Sequence, residues 1–95
     1  MSDVIEKAVE TLNAKVGTSY DGTAKFVIED EGTIMLDSSG ARAGDEPAEV
    51  TMTASAETFQ GMLDGDTNPT MAFMSGKLKI DGSMGEAMKL ASALG

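Results

Sequence analysis

Asp64, Asp66 and Asn68 present oxygen donors at alternate positions, which is how a calcium loop opens, because a hard cation takes oxygen ligands at that spacing. The match fails further along. The sixth position, where the turn needs Gly, is Pro69, and the twelfth, where a bidentate Glu closes the shell, is Ser75. A polar turn leading into a helix cap accounts for the same residues. Gly82-Ser83-Met84-Gly85 suggests a second chemistry, amides at a helix start cradling phosphate, but Asp81 and Glu86 flank it with charge that opposes an anion. No Ser stands three residues before a Lys, so that nucleophile and base spacing is missing. The 95 residues contain neither Cys nor His, which removes thiolate and imidazole metal sites, Cys or His catalysis and disulfides together. The reading is of no catalytic residue, no metal site and no cofactor.

Methionine is over-used: there are eight, and Met62, Met71, Met74, Met84 and Met88 crowd the C-terminal part. Thioethers bind Cu(I), but the His or Cys that would complete such a site is absent. Two roles stay open. The methionines fill a core short of aromatics, which make up 4% of the chain, or they line an adaptable cavity for an apolar ligand.

The elements that must position these residues follow from periodicity. Val4, Ile5, Ala8, Val9, Leu12 and Val16 share one helical stripe, with Ser2 or Asp3 as cap and Gly17 as stop, predicting a helix over about residues 3–16. From Gly22 the period becomes two, with Ala24, Phe26 and Ile28 opposed to Lys25, Val27 and Glu29. Asp30-Glu31-Gly32 then turns into residues 33–37 as a hairpin partner. Residues 38–47 read mainly as loop, with Ala41 to Ala43 as a short edge strand. Ala48, Val50 and Met52 alternate with Glu49, Thr51 and Thr53, and Ser55 caps a helix carrying Phe59, Met62 and Leu63 that ends near Asp64-Gly65. Asn68-Pro69 starts a short helix over residues 69–75. Residues 77–81 form a strand with Lys77 and Lys79 outward, and Ser83 with Glu86 makes a capping box for a final helix presenting Met84, Ala87, Met88, Ala91 and Leu94. Strands arriving as hairpins predict an α+β fold: an antiparallel sheet of about five strands with helices packed on one face.

The size fits one domain, residues 1–95. Composition is globular, with 41% hydrophobic and 24% charged residues. The charge of −9 is uneven: Glu29, Asp30, Glu31, Asp37, Asp45, Glu46 and Glu49 face Arg42 alone in residues 29–49, whereas residues 70–95 hold Lys77, Lys79 and Lys89 against Asp81 and Glu86. Such a surface lacks the basic stripe that nucleic acid requires. The charged start carries no secretory apolar stretch, and the longest apolar run is Met71-Ala72-Phe73-Met74, so the expectation is a soluble, cytoplasmic protein.

Ala48-Glu49-Val50-Thr51-Met52-Thr53-Ala54, then the ordered run from Asn68-Pro69 through Phe73, Gly76-Lys77-Leu78-Lys79-Ile80 and Gly82-Ser83-Met84-Gly85 to Ala87-Met88-Lys89-Leu90, resemble the sterol carrier protein type two family. The resemblance is close over residues 48–94, as in a small stand-alone member, and agrees in element order before that. It implies helices and sheet around an apolar tunnel that binds a fatty acid, fatty acyl-CoA or sterol-like lipid without catalysis and moves it between membranes. Carried over residue by residue, the tunnel walls would be Met52, Phe59, Leu63, Met71, Met74, Ile80, Met84 and Met88. The end Ala93-Leu94-Gly95 departs from eukaryotic members in lacking a Ser-Lys-Leu address. A partner module for a lipid-metabolising enzyme is the alternative, and no oligomeric state is implied.

An empty pocket of ~300 Å³ would cost about 7 kcal/mol at ~24 cal/mol per Å³, against a total stability of roughly 5–15 kcal/mol for a small domain. The expectation is therefore a cavity that is filled or collapsed. Lys77, Lys79 and Lys89 read first as ordinary solvated charges; the alternative is that they face an acyl-CoA phosphate or a membrane in transient contact, each lysine near an anionic surface being worth about 1 kcal/mol.

Overall fold

In the computed structural model, residues 3–94 are described, in the order α1 Asp3–Lys15, β1 Ala24–Glu29, β2 Gly32–Asp37, β3 Gly40–Ala43, β4 Val50–Ser55, α2 Ala56–Asp64, α3 Pro69–Met74, β5 Leu78–Gly82 and α4 Met84–Leu94. Ser2, one of the two candidate caps of the first helix, lies outside the described residues. Asp3, the other, is the first residue of α1 itself, whereas the start signals of α2 and α3 act as the side-chain chemistry dictates. Ser55 Oγ accepts from the Thr58 amide and Asn68 Oδ1 from the Thr70 and Met71 amides, while Pro69 gives up no bond at the first helical position. Gly65, at φ 85°, closes α2, so the Asp64-Gly65-Asp66 turn is a helix exit.

The five strands lie in the order β3-β2-β1-β4-β5. β1 with β2, β2 with β3, and β4 with β5 pair antiparallel, as hairpin logic predicts. The central pair departs from it: β1 and β4 are parallel, with Ala24 opposite Val50 and Glu29 opposite Ser55, so the sheet is mixed rather than antiparallel throughout. The cause is residues 44–49, which carry the chain from the β3 edge back across the sheet so that β4 starts level with β1. Hairpin reasoning governs strands adjacent in sequence, and these two are not.

That strap leaves its mark on the sheet face away from the helices. Lys25 Nζ pairs with Asp45 Oδ1 at 2.9 Å, the Gly44 amide donates to the Thr33 carbonyl, and the Glu46 amide approaches Met35 Sδ at 3.4 Å. Met35 is thereby buried outside the main core. The core itself joins alternate strand residues, Ala24, Phe26, Ile28, Ile34, Leu36, Val50, Met52, Ala54 and Leu78, to Ile5, Ala8 and Leu12 of α1, Phe59, Met62 and Leu63 of α2, and Ala87, Leu90 and Leu94 of α4. At the β3 edge, the Asn13 carboxamide accepts from the Ala41 amide at 2.8 Å and donates to its carbonyl at 3.1 Å, closing a main-chain pair that would otherwise invite another strand.

Two side-chain expectations are corrected. α4 turns Ala87, Leu90 and Leu94 inward, a stripe of i, i+3 and i+7, so Met84 and Met88 sit on its flank at 48% and 60% exposure. The capping box is one-sided: Ser83 Oγ accepts from the Glu86 amide, but the Ser83 amide donates to the Glu49 carbonyl and the Glu86 carboxylate turns to Tyr20 and Lys89. Tyr20 and Lys89 supply the stronger partners, a phenol donor and a cation.

Candidate functional site

Between the sheet margin and the last two helices lies an apolar pocket of about 40 Å³. Its floor is Met52 of β4 with Leu78 and Ile80 of β5, residues on the core-facing parity of their strands. Pro69, Thr70 and Phe73 form the α3 wall, and Met84, Ala87, Met88 and Ala91 the α4 wall. Thr70 brings the one hydroxyl among these side chains, so the pocket repels charge and offers apolar contact. Ligand sites run to ~300–1,000 Å³, so this pocket is nearly collapsed. The residues at its rim are movable: Phe73, Met84 and Met88 are 40%, 48% and 60% exposed, and thioether chains repack at little cost.

Of the eight residues carried over from the resemblance, Met52, Ile80, Met84 and Met88 meet in this pocket. Phe59 and Leu63 are buried elsewhere, beside a cleft of about 20 Å³ shared with Val4, Ala8 and Ala56. The Phe59 ring packs on Phe26 with centroids 5.1 Å apart at 51°, so it fills interior volume. Met71 and Met74 line neither space: α3 buries Pro69 and Ala72, which turns Met71 and Met74 outward at 64% and 76% exposure. Leu78, Phe73, Ala87 and Ala91 were not among the eight. Leu78 shares the parity of Ile80 and was findable by alternation; the alanines lie on the Met84–Met88 side of α4 but are small.

On the other side of α4 a polar cluster fixes the helix to the α1–β1 connection. The Tyr20 hydroxyl donates to Glu86 Oε1 at 3.1 Å, Lys89 Nζ lies 2.6 Å from Asp21 Oδ1 and 3.2 Å from Glu86 Oε2, and the same ammonium stands 5.8 Å from the Tyr20 ring centroid. Burial, then the bond to Glu86, pushes the Tyr20 phenol well above its ordinary range. Bonding to Asp21 and Glu86 raises Lys89, and Lys89 in turn holds Asp21 below the usual carboxylate range.

The three C-terminal lysines therefore part company. Lys89 is engaged by carboxylates, whereas Lys77 and Lys79 line a polar depression with Glu29, Thr53, Ser55 and Thr58. No helix among the described residues is long and apolar enough to cross a membrane.

The model of the SCP-2 sterol transfer family matches residues 4–95. Hydroxysteroid dehydrogenase-like protein 2 of Xenopus tropicalis is 42% identical over 98 residues, which cover 94% of this chain and 24% of that protein. The chain thus spans about a quarter of the length of the first curated relatives it matches. Among solved structures, sterol carrier protein domain 2 of Helicoverpa armigera superposes with a TM-score of 0.71 at 28% identity, over 95% of this chain and 81% of that one. Sterol Carrier Protein-2 of Aedes aegypti, solved in complex with palmitate, has the same fold, with a TM-score of 0.80 at 17% identity over 99% of this chain and 96% of that one.

Proposed function

The chain belongs to the SCP-2 sterol transfer family, and from that premise we propose that it binds an apolar lipid, a fatty acid, fatty acyl-CoA or sterol-like molecule, in a tunnel that opens between the sheet and helices α3 and α4. The observation that carries this reading is the pocket whose floor is packed core and whose rim is exposed Phe73, Met84 and Met88. Closed, the pocket leaves little space unfilled. Opened, it needs a ligand to fill it, because an empty space of ligand size would consume most of the stability of a domain this small. Met52, Ile80, Met84 and Met88 line the tunnel, and Phe59 and Leu63 bound its inner end.

The function proposed is carriage without catalysis. The protein works in the cytoplasm and touches membranes transiently to load and unload. Solvent extraction of the purified protein with lipid analysis, together with a thermal shift on adding palmitate to delipidated protein, tests the proposal. Recovered lipid and a raised melting temperature are expected; no lipid and no shift with any fatty acid or acyl-CoA overturn it.

A second reading rests on the relatives' length. Because the matched proteins carry about three quarters of their chain beyond this domain and are named as dehydrogenase-like, the domain serves instead as a protein-interaction module for a lipid-metabolising enzyme of that kind. Recovery of a dehydrogenase-type partner with a lipid-free protein favours it.

A further inference from the structure

The exposed large apolar side chains among the described residues are Met71, Phe73, Met74, Met84 and Met88, and they fall on two neighbouring helices. Phe73, Met84 and Met88 meet at the rim of the pocket, and Met71 and Met74 lie one turn apart on the outer side of α3. We propose that these five residues form a face that inserts into the hydrocarbon layer of an electrically neutral lipid surface, with the pocket mouth opening directly onto the acyl chains. The inference rests on the lipid-carrier reading and adds to it the surface, the orientation and the kind of membrane.

Charge chooses the occupant. α3 carries no charged residue, and the two charged residues of α4, Glu86 and Lys89, are bonded to each other and to Tyr20 and Asp21 on the connection before β1. The two helices therefore bring no free charge to this face of a molecule of net charge −9, whose acidic remainder is repelled by an anionic surface. An uncharged face fits hydrocarbon beneath zwitterionic headgroups and offers a charged protein partner nothing to pair with. Area argues the same way. At roughly 200 Å² per large side chain, the exposed fractions leave about 580 Å² of apolar surface, at the upper end for a monomer and short of the ~800 Å² per partner of a stable protein interface. Shallow, reversible insertion needs no more.

The test is flotation of the full chain with phosphatidylcholine vesicles, comparing wild type with the double variant Met71→Ser, Met74→Ser, which lies outside the pocket lining. Wild type should float, equally at low and high salt, and the double variant's partitioning should fall at least about tenfold, while its thermal shift with soluble palmitate is unchanged. In a second readout, M74W should show blue-shifted emission quenched by brominated lipid, and T53W, on the polar side of the sheet, should not. Absence of wild-type flotation, flotation lost at high salt, equal flotation of the double variant, or a wild-type dimer that the double variant dissociates overturns the proposal. Flotation without any palmitate shift leaves the docking face standing and removes the carrier reading beneath it.

Discussion

The Tyr20 hydroxyl donates to Glu86 Oε1 at 3.1 Å, so a residue just before β1 holds the first turns of a helix that begins more than sixty residues later. That helix presents Met84, Ala87, Met88 and Ala91 to the pocket from its other side. Widening the pocket by moving α4 therefore strains or breaks this contact, which makes the polar cluster a restraint on opening.

Tyr20→Phe tests the restraint. Loss of one part-buried hydrogen bond to a charged acceptor should cost about 1–3 kcal/mol in denaturant unfolding and speed amide exchange in α4 and palmitate uptake together. Gly22→Ala is an independent route, because a methyl there would overlap the Glu86 carboxylate and crowd the Tyr20 hydroxyl without removing either. Unchanged uptake in both variants would show that α4 does not gate the pocket.

Stability should vary with pH in a way set by the same groups. Tyr20 and Lys89 are raised in the folded protein, so their contribution is complete below the ordinary tyrosine value of about 10 and is lost as pH climbs above it. Asp21 is depressed, so its contribution is present above the ordinary carboxylate value of 3.8 and is lost as pH falls below it. Melting temperatures across the pH range should show a plateau between these limits, and Tyr20→Phe should flatten the alkaline fall. An alkaline fall of the same depth in that variant would contradict the assignment.

Pocket floor and rim should separate in their effects. Met52→Ala removes a buried side chain and should destabilise the lipid-free protein by about 2–5 kcal/mol, with part of the loss recovered on adding palmitate, which fills the vacated space. Met88→Ala, at a 60% exposed position, should change stability by no more than about 0.5 kcal/mol yet weaken palmitate binding. Equal effects of the two variants on stability and on binding would mean that the pocket is not the site.

The sequence carried the parts of this structure that local chemistry decides. Ser55, Asn68-Pro69 and Gly65 mark helix ends through caps and φ, and the alternation of Ala24, Phe26 and Ile28 marks the buried face of β1. What it hid depends on contacts between distant segments. The parallel β1–β4 pair follows from the strap across the sheet, and the burial of Met35 follows from the same strap. Glu86 left its capping role for Lys89, its own i+3 neighbour on α4, and for Tyr20, which is brought beside it only by the fold. The methionines divide for a related reason: Met35, Met52 and Met62 are buried, while Met71, Met74, Met84 and Met88 are not, and one apolar residue type on overlapping stripes does not announce which side of a short helix will face the sheet.

Methyl-selective NMR of delipidated protein with carbon-13 methionine methyls, titrated with palmitate, tests the proposed tunnel most directly. The Met52, Met84 and Met88 methyls should shift and show contacts to the acyl methylenes, and Met35, sealed under the strap on the opposite face of the sheet, should stay where it is. Palmitate that leaves the first three methyls unmoved, or that moves Met35 as much as Met52, would contradict a lipid held between the sheet and the last two helices.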